Sequence, residues 1–331
     1  MLGFALLPLL VAMPVTSSGL AAPLAHTYSI VARDSVTGEL GVAVQSHYFS
    51  VGPVVPWAES GVGAIATQSL VLVDYGPRGL ELMRTGMTAQ QALDALKAAD
   101  AGVDGRQVAM VDAHGNVAAH TGKSCIPAAG MHAGAQYSVQ ANLMSNDTVW
   151  PAMAAAYESA QGDLGERMLQ ALEAGQRAGG DIRGSQSAAI LVVKGAPSGR
   201  PWADRVLDLR VEDNPRPLVE LRRLMRLRRA YNLEDAGDNF ISDKKFPEAM
   251  EAYEAAMKLA PDVVELQFWA AVSMLSNGRE AEGLMLFRKV FAKEKRWVEL
   301  VPRLAQVGLF PNNPDKLARV AAQAKGSTAP R

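Results

Sequence analysis

The sequence predicts an α+β domain, in which sheets lie between layers of helices, followed by an α-helical repeat domain. Between about Thr27 and Glu212 the element order is strands, two helices, strands, two helices and strands. Paired helices argue against a doubly wound parallel sheet and favour a four-layer αββα sandwich. After Glu212, a proline-rich boundary leads into a repeat of about 34 residues.

Strands of the first domain are predicted where β-branched and small apolar residues lie between turn residues. The predicted ranges are 27–33, 40–45, 61–67, 106–111, 117–121, 137–141, 187–194 and 206–211. The turns 34–38 and 112–116 contain Asp, Gly and Asn, which suits hairpins. Small residues in strand 61–67 indicate close approach of another layer or of a ligand.

Apolar residues at helical spacing predict two pairs of helices between these strands. The first pair comprises residues 75–84 and a helix with Thr88 as its N-cap. The second pair contains Trp150 and Tyr157 in one helix and Leu164 and Leu172 in the other.

Residues 1–25 resemble a secretory signal peptide, because an apolar run from Phe4 to Val15 precedes small residues. The run is too short, and too interrupted by prolines, for a stable membrane span after processing. Cleavage fits best after Ala21, with Ala25 as the alternative, so a periplasmic or secreted location is expected. A buried N-terminal helix is the other interpretation.

Charge and cysteine content exclude several classes of protein. The 331 residues carry a formal net charge of −1, so no global field attracts nucleic acid. Cys125 is the only cysteine, which rules out an intrachain disulfide and fits a small buried residue. Metal-ligand spacing, a phosphate-binding loop, a dinucleotide fingerprint and a serine-hydrolase elbow are all absent from the sequence. We therefore expect no metal and no cofactor.

The C-terminal part carries a tetratricopeptide-like signature. A connecting helix is predicted over 213–229, repeats over 230–310 and a tail over 311–331. The first repeat has small, aromatic and proline residues at the required positions, namely Gly237, Phe240, Ala249, Tyr253, Ala256 and Pro261. The second repeat is a weaker match. Two repeats rarely stand alone, so the tail is expected to pack on the first domain or form a homodimer, and a partner-protein groove is the alternative.

Thr27 is the residue on which a catalytic interpretation depends. A Thr hydroxyl becomes nucleophilic when a base takes its proton, and the α-amine of an N-terminal Thr can do so near neutral pH. Strand 27–33 would then present hydroxyl and amine together at the end of a sheet. An ordinary strand threonine is the alternative.

Seven sequence motifs resemble the domain-of-unknown-function family 1028. They are HTYSIVARD from His26, GELGVAVQS from Gly38, GVGAIATQ from Gly61, YGPRG from Tyr75, QANL from Gln140, GGDIRGSQS from Gly179 and DLRVED from Asp208. The resemblance covers about residues 27–227. This family is grouped with the N-terminal nucleophile hydrolases, which have an αββα sandwich and cleave amide bonds through an N-terminal Thr, Ser or Cys.

The resemblance implies roles for residues at the matching positions. Thr27 would be the nucleophile and, through its amine, the base. Asp181, with Ser185 or Ser187, would hold that amine. Gln68, Gln140 and Asn142 would donate hydrogen bonds to an oxyanion, and hydrogen bonding at turns and strand ends is the alternative.

Further residues of these motifs would line the substrate cleft. They are Ser46, His47, Gln140 and Ser187. The implied function is an exported amide hydrolase acting on a small or peptide-like amide.

The sequence departs in two ways from the pattern of N-terminal nucleophile hydrolases, and these differences keep a second interpretation open. No Lys precedes Lys97, whereas proteasome-like members use one beside the nucleophile. Cleavage after Ala21 or Ala25 would leave Ala22 or His26 first, so a further cleavage is needed to expose Thr27. The alternative is a non-catalytic ligand-binding module with a repeat tail for protein–protein interaction.

Overall fold

The computed structural model describes residues 24–325, and the chain divides into two compact units between Val206 and Leu207. The first unit is a mixed α/β structure with two antiparallel sheets, and the second is helical. The predicted signal peptide over residues 1–25 lies outside the described residues, apart from its last two.

Eleven strands are present within the described residues. They are β1 (Leu24–Ala25), β2 (Thr27–Arg33), β3 (Leu40–Ser46), β4 (Pro56–Glu59), β5 (Gly63–Leu70), β6 (Arg106–Asp112), β7 (Val117–Thr121), β8 (Gly130–Gly134), β9 (Tyr137–Ala141), β10 (Ser187–Val193) and β11 (Arg205–Val211). One sheet has the order β1-β5-β6-β7, with β4 also paired to β5. The other has the order β11-β10-β3-β2-β9-β8.

The main core lies between the two sheets. Val42 and Val44 of β3 are buried in one cluster with Ala64 and Ala66 of β5. Alternate residues of β3 face the opposite side, as the period of two in a strand requires. There Gly41 leaves room for α4, because an added Cβ would lie 2.5 Å from the Met168 side chain.

Four helices cover the outer faces of the sheets: α1 (Tyr75–Arg84), α2 (Ala89–Ala99), α3 (Val149–Ser159) and α4 (Leu164–Arg177). α1 and α2 pack on the sheet that contains β5, while α3 and α4 pack on the sheet that contains β2. Thr88 forms a capping box with Gln91, which confirms the predicted start of α2.

The helices of the second unit are α5 (Pro217–Ser242), α6 (Phe246–Leu259), α7 (Val264–Ser276), α8 (Glu280–Lys293), α9 (Leu300–Gln306) and α10 (Pro314–Lys325). The predicted connecting helix and the first repeat helix are one continuous helix, α5, since no proline interrupts 218–242. Part of the segment predicted as a C-terminal tail forms α10, which packs against α8.

Small residues allow these helices to approach closely. An added Cβ at Gly237 of α5 would lie 2.6 Å from the Tyr253 ring of α6. One at Gly283 of α8 would lie 3.0 Å from the carbonyl oxygen of Ala271 in α7. Among the described helices, none combines the length and apolar composition that a membrane crossing requires.

Three strands were not predicted. β1 has two residues, β4 begins at a proline, and β8 begins and ends with glycine, so none carries a strong local signal. β1 is nevertheless significant, because Leu24 and Ala25 pair with Leu70 and Ser69 of β5. The chain just before Thr27 is thereby held in a sheet.

Glu234 of α5 makes the helical unit sensitive to pH. Burial, with the nearby carboxylates Asp238, Asp235 and Glu265, raises the pKa of Glu234 to about 7 from its ordinary 4.5. The folded unit thus keeps a proton that the unfolded chain loses between these values. Its free energy of unfolding should fall as pH rises through this window, by up to roughly 3 kcal/mol.

We expect Glu234→Gln to remove this dependence and to slow hydrogen exchange of the α5 amides at about pH 8 but not at about pH 4. Mass spectrometry, corrected for intrinsic exchange rates, measures the effect. Glu251→Gln, on the exposed face of α6, is the matched control. Equal protection of wild type and Glu234→Gln at the higher pH would show that the carboxyl carries no such penalty.

Candidate functional site

Thr27 begins β2 at one end of the six-stranded sheet. It pairs with Ser46, the last residue of β3, and Ser46 pairs in turn with Ser187, the first residue of β10. The three residues therefore form a row across adjacent strands. All three are completely buried.

The Thr27 hydroxyl lies among backbone and side-chain oxygens. Thr27 Oγ1 donates to the Ala25 carbonyl at 2.8 Å and lies 3.1 Å from Ser46 Oγ. The Ser46 hydroxyl donates to the His26 carbonyl at 2.7 Å. Two hydroxyls thus flank the peptide bond between His26 and Thr27.

Arg183 supplies a second donor to the same carbonyl. Its Nη2 lies 2.7 Å from the His26 oxygen and 2.7 Å from Asp181 Oδ2. The Asp181 side chain is fully buried and also accepts from Arg183 Nε and from the His47 backbone amide. The buried carboxylate therefore fixes the guanidinium against the His26 carbonyl.

The next carbonyl, that of Thr27, is held by side-chain amides. Gln68 Nε2 donates to it at 3.2 Å, and Asn142 donates its backbone amide at 3.1 Å. The Gln68 and Asn142 side chains both donate to Gln107 Oε1, at 2.7 and 2.9 Å. Gln107 Nε2 in turn donates to the Ala141 carbonyl at 2.9 Å.

A second layer of polar groups continues along β2. Ser29 donates to Gln68 Oε1 at 2.6 Å and accepts from Gln140 Nε2 at 2.5 Å. The Ser138 hydroxyl donates to Gln140 Oε1. All of these groups are buried, so each hydrogen bond replaces one lost to water.

His26 is buried and neutral near pH 7. Burial lowers the pKa of the imidazole, and a hydrogen bond to Asn142 partly opposes that effect. The ring Nδ1 lies 2.8 Å from Asn142 Oδ1, whereas Nε2 has no hydrogen-bond partner among the described residues. The side chain before Thr27 is thus anchored in the same polar cluster.

The structure brings several of the predicted site residues together. Thr27, Ser46, Gln68 and Asn142 belong to one connected network, which Asp181 joins through Arg183. Gln140 is connected to it through a serine of β2.

Other predicted residues lie apart from the Thr27 hydroxyl. Ser187 bonds to backbone groups of Tyr48 and Val51. Ser185 bonds to Gln176, beside the Tyr28 hydroxyl on the α4 side of the sheet. His47 contacts the cluster through its backbone amide rather than through its ring.

Two central residues, Gln107 and Arg183, were not predicted as site residues. Gln107 is a polar residue directly before the apolar run 108–111 of β6, and such a residue must find partners when buried. Arg183 lies in the GGDIRGSQS motif, two residues after Asp181. These two local signals could have identified both residues.

This arrangement can position a carbonyl carbon beside a hydroxyl, with donors on the carbonyl oxygen. In the described chain the Thr27 nitrogen is a peptide nitrogen, so it has no basic lone pair. Burial raises the pKa of the Cys125 thiol, which makes it a poor nucleophile. Within residues 24–325, no group of three or more His, Cys, Asp or Glu side chains could hold a metal ion.

Comparison with known proteins gives a family model and a solved structure. The model described as "Family of unknown function (DUF1028)" matches residues 27–221. The crystal structure of protein SPO2555 from Silicibacter pomeroyi, assigned to the same family model, is 29% identical with a TM-score of 0.55. The match covers 60% of this chain and 88% of that one. The search of curated proteins found no match.

Gln107→Leu tests whether the amide cluster stabilises the first unit. The substitution removes the acceptor that the side-chain amides of Gln68 and Asn142 share, and each buried donor left unpaired costs about 1–3 kcal/mol. We expect β5 and β6 to lose at least about 3 kcal/mol of protection against hydrogen exchange. Gln90→Leu, on the exposed face of α2, is the control and should change little. Similar protection in both variants would contradict this prediction.

Proposed function

For this chain, which belongs to the family of unknown function DUF1028, we propose the activity of an N-terminal nucleophile hydrolase that cleaves amide bonds. Thr27 would be its nucleophile, and removal of the residues before Thr27 would activate it. The substrate class is a small or peptide-like amide. No part of this activity requires a metal or cofactor.

The observation that carries this proposal is the environment of the His26 carbonyl. Its oxygen accepts from the Ser46 hydroxyl and from the Arg183 guanidinium, both at 2.7 Å. Two donors on one carbonyl oxygen resemble an oxyanion hole, which stabilises the charge that develops when a nucleophile attacks. The adjacent nucleophile is the hydroxyl of Thr27.

Self-cleavage would follow from this geometry. Thr27 Oγ1 attacks the His26 carbonyl carbon, the carbon–nitrogen bond breaks, and the hydroxyl proton passes to the Thr27 nitrogen. Water then hydrolyses the resulting ester, leaving a carboxylate on His26 and a free hydroxyl and amine on Thr27. Arg183, being cationic, stabilises the negative charge on the carbonyl oxygen in both steps.

The mature site would use the same groups on a substrate. With the leader gone, Ser46 and Arg183 face the position that the His26 oxygen occupied, so a substrate carbonyl can take its place. The Thr27 amine, with a pKa of about 7.7–8.0, accepts the hydroxyl proton and passes it to the leaving amine. Gln68 and Asn142 hold the Thr27 backbone during the reaction.

The layering of the first unit supports the same assignment. Its two sheets share a core, and paired helices pack on the sheets. The four-layer αββα sandwich of N-terminal nucleophile hydrolases has this arrangement. Under this assignment, Thr27 would lie at the end of a central strand.

Export and the helical unit complete the proposal. The apolar N-terminal sequence would direct the chain to the periplasm or beyond, as a signal peptide does. The helical unit would be a tetratricopeptide-like module, for which the contacts of Gly237 with Tyr253 give support. Such a module would bind a protein partner or a second copy of the chain.

A non-catalytic binding module is the second candidate function. The observation in its favour is that Thr27 is completely buried and its hydroxyl already donates to the Ala25 carbonyl. A buried hydroxyl in an intact strand is also what an ordinary structural threonine shows.

Thr27→Ala and Thr27→Ser distinguish the two candidates. We expect wild type from the cell envelope to begin at Thr27 and the Ser variant to begin at the same position, because serine keeps the hydroxyl. The Ala variant should retain His26. Intact mass and N-terminal sequencing measure the start. A folded wild-type protein that stably begins at Ala22 would refute the enzyme.

Complementation of a deletion strain provides a second readout. Loss of activity in Thr27→Ala and its retention in Thr27→Ser support the hydrolase, whereas full activity of both supports the binding module. With a hydrolysed amide in hand, kcat/KM should rise with pH through about 7.7–8.0, because the amine must be unprotonated.

Removing either donor on the His26 carbonyl should slow processing. We expect Ser46→Ala and Arg183→Gln each to reduce the cleavage rate by about 100-fold or more, as for loss of an oxyanion donor. Pulse labelling and gel mobility measure the rate. Arg177→Gln, exposed in the last turn of α4, is the control. Unchanged rates in both donor variants would contradict the role given to the two donors.

A further inference from the structure

The side chain of His26 fills a closed space beside the Asn142 carboxamide, which we call the His26 pocket. Only 3% of His26 is exposed, and its carbonyl is the one that Ser46 and Arg183 hold. In the proposed self-cleavage, His26 is the residue on the acyl side of the bond that breaks. A substrate whose carbonyl takes the same position would place its acyl side chain in the pocket that His26 vacates.

A hydrogen-bond acceptor lies at the end of the His26 pocket. His26 Nδ1 is 2.8 Å from Asn142 Oδ1. A carboxamide oxygen can only accept, so the imidazole carries its proton on Nδ1 and donates it to this oxygen. A buried acceptor without a donor is unfavourable. The pocket therefore favours a side chain that brings an N–H group to this position.

The direction of the Asn142 carboxamide is fixed by the residues behind it. Asn142 Nδ2 donates to Gln107 Oε1 at 2.9 Å. Gln107 Nε2 in turn donates to the carbonyls of Ala141 and Gly130, at 2.9 and 3.2 Å. A reversed Asn142 would set its oxygen against Gln107 Oε1, and two acceptors cannot form a hydrogen bond. The oxygen of Asn142 is thus held towards the pocket.

The charges near the pocket favour a neutral donor over a cation. Burial lowers the pKa of the His26 imidazole, and the positive charge of Arg183 lowers it further, while the opposite effect of Asp181 is smaller. The ammonium of a lysine or the guanidinium of an arginine would meet the same burial and the same positive charge. A neutral imidazole or carboxamide avoids both penalties and still supplies the N–H group.

We propose that the His26 pocket selects substrates by an imidazole or carboxamide on the acyl side, so that the amide hydrolysed is the one that follows a histidine or asparagine residue. This inference rests on the proposed function and names its substrate class. Asn142 is the specificity-determining residue, since its oxygen receives the N–H group. An aliphatic side chain of the same size would leave that oxygen unpaired.

Variants of His26 in the full-length chain test the selection on self-cleavage. His26→Asn can place Nδ2 where the imidazole has Nδ1, so its cleavage rate should stay within about threefold of wild type. His26→Leu has the same branched shape without a donor and should be cleaved at least about tenfold more slowly. His132→Leu, on the exposed strand β8, is the control. Equal rates for His26→Asn and His26→Leu, measured by pulse labelling, would overturn the inference.

The mature protein tests the selection on a substrate. The acetyl group of N-acetyl-L-histidinamide reproduces the carbonyl that precedes His26, and N-acetyl-L-leucinamide is the matched compound without a donor. Hydrolysis adds water to the amide and gives the N-acetyl amino acid and ammonia. Measured by ammonia release, kcat/KM should be at least about tenfold higher for the histidine compound. Equal values for the two compounds, or hydrolysis of neither, would overturn the substrate assignment.

A binding measurement tests the pocket without any cleavage. His26→Gly, combined with Thr27→Ala to prevent processing, empties the pocket in the full-length chain. Imidazole should then bind saturably at about pH 8, where such a ring is mostly neutral, and raise the Tm. Oxazole has the same ring size without an N–H group and should bind at least about tenfold more weakly. Thr27→Ala alone, whose pocket is filled, is the control.

Equal effects of the two rings, or no effect of imidazole, would overturn the inference even if His26→Leu does not fold. Processing of wild type reports on the hydrolase, whereas the ring preference of the emptied pocket reports on the selection. Failure of the proposed function and failure of this inference are therefore read in separate experiments.

Discussion

The structure around Thr27 depends on one constraint, namely that a polar group buried between two apolar sheets costs free energy unless it is hydrogen-bonded. The Gln107 carboxamide provides several of the hydrogen bonds that these buried groups need. Its oxygen accepts from two side-chain amides, and its nitrogen donates to the backbone of β9. Those amides in turn hold the Thr27 carbonyl. The backbone on both sides of the His26–Thr27 peptide bond is therefore held by side chains that are distant in the sequence. The bond cannot shift without breaking several of these contacts.

That rigidity links the two candidate functions. In an enzyme it is preorganisation, since donors already aimed at a carbonyl need no rearrangement during reaction. In a binding module the same hydrogen bonds would only stabilise the fold. Asp181 illustrates the difference, because a carboxylate that orients Arg183 costs free energy to bury, and a purely structural core could have used apolar residues at both positions.

The sequence predicted much of the fold because many of its signals are local. Turn residues bounded β2 and β3, and Thr88 marked the start of α2. β1 could not be predicted, since two residues become a strand only through pairing with β5. The site was partly predictable in the same way, because Thr27 begins the first strand and Ser46 ends the second strand of one hairpin. Arg183, in contrast, reaches the His26 carbonyl from 157 positions away.

The pairing of β1 with β5 bears on the cleavage before Thr27 that we propose. Leu24 and Ala25 occupy the edge of β5 at Leu70 and Ser69, beyond the point where β4 ends its pairing. Without β1, Ser69 and Leu70 of β5 would lose their backbone partners beside an N-terminus at Thr27. An exposed sheet edge pairs with an extended chain through main-chain hydrogen bonds, whatever its side chains. If the segment before Thr27 is removed as proposed, this short stretch of the β5 edge becomes open to pairing with an extended chain.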